Sequence, residues 1–176
     1  MLKKNYTGAL NTILLDIGGE TTDIAVIFGG GITGNRTLGL GGRFFSQIIS
    51  ERLGNSINEA ELKKISYGEK RLPEDQLALI SESLKDLIPV FLKGLEVGLS
   101  DIEGIKLLPS EILISGGGSL LPDVVKFISD PAWSHNLPIK GELKVRNLMP
   151  PDLGLPSDNI LGPEYLPAIA IGLLNL

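Results

Sequence analysis

Leu15-Asp16-Ile17-Gly18-Gly19-Glu20-Thr21-Thr22-Asp23-Ile24-Ala25-Val26 is the stretch that decides the fold of this chain. Ile13, Leu15 and Ile17 alternate before the glycine pair, and Ile24, Val26 and Phe28 alternate after it. That period of two marks a pair of half-buried strands joined by a turn. The first strand delivers the Asp16 carboxylate to its own end. The chain then bends through two residues without a Cβ, so an anion can come close to backbone N–H groups. Thr21 and Thr22 add hydroxyl donors. Asp16 in this position suits a magnesium ion held through a coordinated water, since magnesium sheds its waters reluctantly. Taken alone, the same residues are equally well explained as a plain hairpin with a glycine-rich turn.

Outward from this hairpin, Gly29-Gly30-Gly31 makes a second turn into a third strand near residues 32–40, which gives a three-strand meander. Gly41-Gly42 opens a helix with Phe44, Phe45, Ile48, Ile49 and Leu53 at helical spacing, stopped by Gly54-Asn55. A short helix follows from after Asn58 to about Tyr67, with Gly68 as its C-terminal signal. Pro73 opens a longer helix whose apolar stripe runs from Leu77 to Leu95, with a kink or break at Pro89.

A second glycine run, Ile112-Leu113-Ile114-Ser115-Gly116-Gly117-Gly118-Ser119-Leu120-Leu121-Pro122, closes a short buried strand over 111–115. It leads into a helix expected over 120–128, with Ser119 as N-cap and Pro122 in the first turn. Glycines permit close approach, and a helix start presents free N–H groups. No Gly-Lys-Ser/Thr follows, so it is not a P-loop. The alternative is a strand-to-helix connection that simply needs unusual dihedrals. Leu143 to Arg146 is the last strand, residues 147–162 a surface loop, and a final helix begins near Pro163.

Bulk properties narrow the function. The 176 residues suit one domain, and the 43% hydrophobic and 21% charged fractions are ordinary for a globular core. A net charge of −5 argues against broad attraction to a nucleic-acid backbone but not against a nucleotide. There is no cysteine, which excludes disulfides and thiolate-bound metals and agrees with a cytoplasmic location. The single histidine, His135, reads as a loop residue. The apolar stretch from Tyr165 is shorter than the ~20 residues of a membrane span.

The first glycine stretch resembles the second phosphate motif of the actin, sugar-kinase and heat-shock ATPase superfamily, and its Thr21-Thr22-Asp23-Ile24-Ala25-Val26 continuation is especially similar to the FtsA family. The second resembles the superfamily's adenosine motif, and Ser119-Leu120-Leu121-Pro122 is similar to FtsA and to the pilus-assembly protein PilM. Glu61-Leu62-Lys63-Lys64-Ile65-Ser66-Tyr67-Gly68 looks on its own like a solvated i,i+3 ion pair. In the family, a Glu and a Lys at this spacing reach toward ribose and adenine. Gly41 and Gly42 resemble the glycine pair beside the same sugar. Glu20 stands where many members have a third glycine, so it must point away, pair with a cation, or weaken phosphate binding.

The resemblance implies an α/β ribonuclease-H-like domain, with a three-strand meander, two further parallel strands, covering helices and an inserted helical subdomain. Residues 1–176 would form one such second domain, with a core of 1–54 and 109–176 and an insert of 55–108. It implies ATP and Mg as ligands, with Asp16, Gly18, Gly19, Thr21, Thr22, Gly41, Gly42, Glu61, Lys64, Gly116, Gly117 and Gly118 at the site. The superfamily's first domain and its water-positioning residue have no room before Asp16, so no catalytic residue is assigned and turnover belongs to a complete two-domain protein. Expected partners are that first domain and self-associating filament subunits, in cell division or membrane-associated assembly. A sugar-kinase-like phosphotransferase fragment and a nucleotide-independent assembly module are the alternatives. All of this requires both glycine bends to meet at one sheet edge and face a common hollow.

Overall fold

The computed structural model describes residues 11–139, 141–153, 155–156 and 162–167. The alternating segments form β1 (Thr12–Ile17), β2 (Thr22–Phe28) and β3 (Gly31–Leu38), an antiparallel meander. β4 (Glu111–Ser115) and β5 (Lys144–Asn147) extend it in parallel with β1, giving a five-stranded sheet in the order β3-β2-β1-β4-β5. Five helices complete the described fold: α1 (Gly42–Leu53), α2 (Ile57–Gly68), α3 (Glu74–Lys85), α4 (Ile88–Ser100) and α5 (Pro122–Ile128). This is the α/β arrangement expected from the order of periodicities.

Alternation sorts the sheet's side chains onto two faces. Ile13, Leu15, Ile17, Ile24 and Val26 are buried in one continuous core with Phe45, Ile80, Leu84, Phe91 and Leu95 from the helices. Phe45 of α1 and Phe91 of α4 pack with ring centroids 5.4 Å apart. Leu113, Leu148, Leu153 and Leu166 form a smaller cluster on the other face.

Several local expectations need correction. α2 begins two residues earlier than expected, because Ser56 caps it reciprocally with Glu59, a capping box. It ends at Gly68, one residue past the expected end, although Gly68 is not left-handed. The left-handed residue is Lys70 (φ 55°), and the Arg71 N–H returns to the Ser66 carbonyl at 2.8 Å. The break expected at Pro89 is present but falls slightly earlier: α3 and α4 part at Asp86-Leu87, and Pro89 sits in the first turn of α4, where its missing N–H costs nothing. Ser119 is not an N-cap either. Residues Gly117–Leu120 form a 3-10 turn, the Ser119 hydroxyl donates to the Gly116 carbonyl at 2.7 Å, and α5 starts only at Pro122. The final helix falls mostly outside the described residues.

Candidate functional site

β1 and β4 run side by side in parallel, with Asp16 opposite Ser115, so the bends that follow them emerge at the same end of the sheet. They line one hollow of about 310 Å³, at the lower end of the size range of small-molecule sites. One wall is Gly18, Gly19 and Gly42. The second is the inner face of α2, with Glu61, Lys64, Ile65, Gly68 and Glu69. The third is Gly117, Gly118, Leu120 and Leu121, and Glu164 and Tyr165 close the rim.

The wall at the first bend is tied to α1 through the backbone. The Gly42 N–H donates to the Gly18 carbonyl at 2.8 Å, and the Arg43 N–H to the Gly19 carbonyl at 2.7 Å. The N-terminal amides of α1 are therefore occupied, whereas the Gly19 and Glu20 amides have no partner among the described residues. Gly41 is needed for this docking, since a Cβ there would lie 2.6 Å from the Glu20 carbonyl carbon and the Thr21 nitrogen.

Lys64 is not a solvated surface lysine. It is 8% exposed, and its ammonium donates to the Gly42 carbonyl at 2.8 Å and to Glu61 Oε2 at 2.7 Å. Ser46 donates to the same Glu61 oxygen. Burial pushes the Glu61 carboxyl upward, but the hydrogen bonds from Lys64 and Ser46 outweigh it and hold the group below the ordinary range. The ion pair thus welds α2 to the start of α1, while the half-exposed Glu61 still borders the hollow.

The remaining sequence-picked residues sit just behind these walls. Thr22 is buried and its hydroxyl donates to the Leu40 carbonyl at 2.6 Å. The Thr21 carbonyl accepts the Gly18 N–H at 2.9 Å, closing the turn. Gly116 has φ +82°, and a Cβ on it would strike Asp16 Oδ1 and lie 2.5 Å from the Ile17 carbonyl oxygen. Asp16 is half-buried at the end of β1, with Asp23 as its cross-strand neighbour. Burial first, and the Asp23 charge second, push its carboxyl above the ordinary range. None of these four lines the hollow. Glu20 does not either; its exposed carboxylate lies 3.4 Å from Arg43.

Tyr67 was not anticipated as part of this corner. Its hydroxyl donates to Asp123 of α5, and burial, followed by that hydrogen bond, pushes the phenol up to about 12. The two residues are 56 positions apart, and nothing in the local pattern of either one announces the other.

Comparison with known proteins agrees with this architecture. The family model for "Cell division protein FtsA" matches residues 13–170. The FtsA of Neisseria meningitidis serogroup B is 27% identical over 189 residues, covering 94% of this chain and 42% of that protein. The FtsA of Enterococcus faecalis is 26% identical over 133 residues, covering 65% of this chain and 30% of its own length. The chain therefore spans less than half the length of these relatives. Among solved structures, the PilM-PilN type IV pilus biogenesis complex matches with a TM-score of 0.71 at 20% identity, over 98% of this chain and 47% of that one. Ethanolamine utilization protein EutJ from Carboxydothermus hydrogenoformans matches with a TM-score of 0.59 at 21% identity, over 93% and 49%. At these identities the structures speak for the fold, an actin-like one. The match along nearly all of its length shows that this chain belongs to the FtsA family of cell-division proteins.

Proposed function

We propose that this chain is the second-domain half of an ATP site, in a protein that works in cell division or a related membrane-associated assembly. The observation that carries this is the meeting of both glycine bends and the Glu61–Lys64 junction around one hollow. The ribose and base would lie between α2 and residues 117–121, with Glu61 accepting from the sugar. The phosphates would turn toward the free Gly19 and Glu20 amides, and Thr21 and Thr22 hold that turn in shape. Glu20 lies outside the hollow with its exposed carboxylate 3.4 Å from Arg43, which lessens the repulsion its charge would otherwise impose.

The residues fit magnesium in one limited sense. Asp16 is a single carboxylate, and the described residues hold no group of three acidic or histidine side chains that could bind a metal. Such a site suits an ion whose other ligands are phosphate oxygens and waters. Magnesium would supply charge neutralisation at the phosphates. Asp16 would orient it through water, and Gly116 leaves room for that carboxylate.

Phosphoryl transfer depends on positioning and preorganised charge from all sides. We therefore assign turnover to the complete two-domain protein in the cytoplasm, with its first domain and further copies as partners. The core of 1–54 and 109–176 would carry the site, and the 55–108 helices would form the smaller lobe. Calorimetry with Mg-ATP tests the proposal on two proteins. This chain alone should bind in the millimolar range or undetectably, and the chain extended by the upstream domain of its natural protein should bind tightly and hydrolyse slowly. Sub-micromolar binding by the chain alone would contradict the half-site. No binding by the extended protein would leave an assembly module, and sugar-stimulated turnover would make it a phosphotransferase.

A further inference from the structure

Asp123 lies in the first turn of α5 and is 9% exposed. Burying a carboxylate is costly unless its oxygens are hydrogen-bonded. Here each oxygen takes a hydroxyl proton, Oδ2 from Tyr67 of α2 and Oδ1 from Ser81 of α3 at 2.9 Å. Lys85 acts on it only through space. A phenylalanine at position 67 would fill the same apolar volume, so the hydroxyl serves the link to Asp123 and not the packing.

The link spans the two walls of the hollow that would hold a nucleoside. Gly68, the residue after Tyr67, lies against the loop before α5, and a Cβ on it would come within 3.0 Å of the Leu120 carbonyl oxygen. The spacing between these walls is therefore fixed from both sides. Steric contact at Gly68 sets how close they come, and the Tyr67–Asp123 bond sets how far they part.

We propose that Tyr67 and Asp123, with Ser81 seating the carboxylate, are positioning residues that set the width of the nucleoside part of the hollow. The inference rests on the nucleotide reading of that hollow. It does not involve the phosphate side, since the clamp's hydrogen bonds join only Tyr67, Ser81 and Asp123.

The test uses this chain, its Tyr67→Phe variant and its Asp123→Asn variant. In hydrogen exchange, Tyr67→Phe should speed amides of residues 65–69 and 120–125 by about tenfold, the scale of one hydrogen bond to a charged group, and leave β1 and β2 unchanged. In chemical-shift titrations it should weaken adenosine binding about tenfold and leave Mg-pyrophosphate binding unaltered. Asp123→Asn keeps an acceptor for the Tyr67 hydroxyl but removes the charge, so its losses should fall between the parent and Tyr67→Phe. Unchanged or uniformly faster exchange in Tyr67→Phe would overturn the clamp. If the parent binds neither probe, the nucleotide reading is decided on the extended protein, and the exchange pattern alone decides whether the two walls are tied.

Discussion

The two glycine bends look alike in sequence but are glycine for different reasons. At the second bend the fold demands it. Gly116 has φ +82°, and a Cβ on Gly118 would run into the Ile17 side chain, with Ile17 Cβ at 2.8 Å as well. At the first bend, Gly19 has no left-handed φ, and a Cβ there would meet nothing within 4 Å. Gly117 is equally unconstrained. These two free glycines both line the hollow. Gly118 therefore belongs to the architecture, and on the proposed nucleotide reading Gly19 and Gly117 leave room for the ligand.

Substitutions can break this distinction. The largest effect is expected from Gly118→Ala, which forces Ile17 and the end of β1 apart and should cost about 2–4 kcal/mol in urea denaturation. Next comes Lys64→Met, which leaves the Gly42 carbonyl and Glu61 without their cation and should cost about 1–3 kcal/mol. Asp16→Asn should act in the opposite direction. Because burial raises the Asp16 carboxyl, ionising it opposes folding as pH rises through its folded-state value. The variant should melt higher than the parent at neutral pH, with the gain vanishing below about pH 4, where Asp is protonated even in the unfolded chain. The same variant should lose magnesium-dependent nucleotide affinity. The smallest stability effect belongs to Gly19→Ala, within about 0.5 kcal/mol of the parent, although its nucleotide affinity should fall. A large destabilisation there would erase the contrast between the bends.

Much of the fold was legible because alternation and glycine placement carry it. Ile13, Leu15 and Ile17 against Ile24 and Val26 fixed the hairpin, and the parallel neighbour β4 followed from a short buried run before three glycines. Helix ends were less legible. The Ser56…Glu59 capping box was present in the sequence and passed over. α2 does end at Gly68, but that glycine lies against Leu120, and Lys70 takes the left-handed conformation. In the site, the spacing of Glu61 and Lys64 was visible, whereas the burial of Lys64 against the Gly42 carbonyl was not, because it depends on how α1 docks on the first bend. Thr22 drew notice as a donor for a ligand, yet its hydroxyl reaches the Leu40 carbonyl, a partner 18 positions away that only the meander brings near.

The central claim is that the two bends act as one site. Amide chemical shifts followed while Mg-ATP is titrated into the chain to millimolar concentration test it most directly. Gly18, Gly19, Gly117 and Gly118 should shift together along one saturation curve. Shifts at only one bend, or two separate saturation curves, would contradict it.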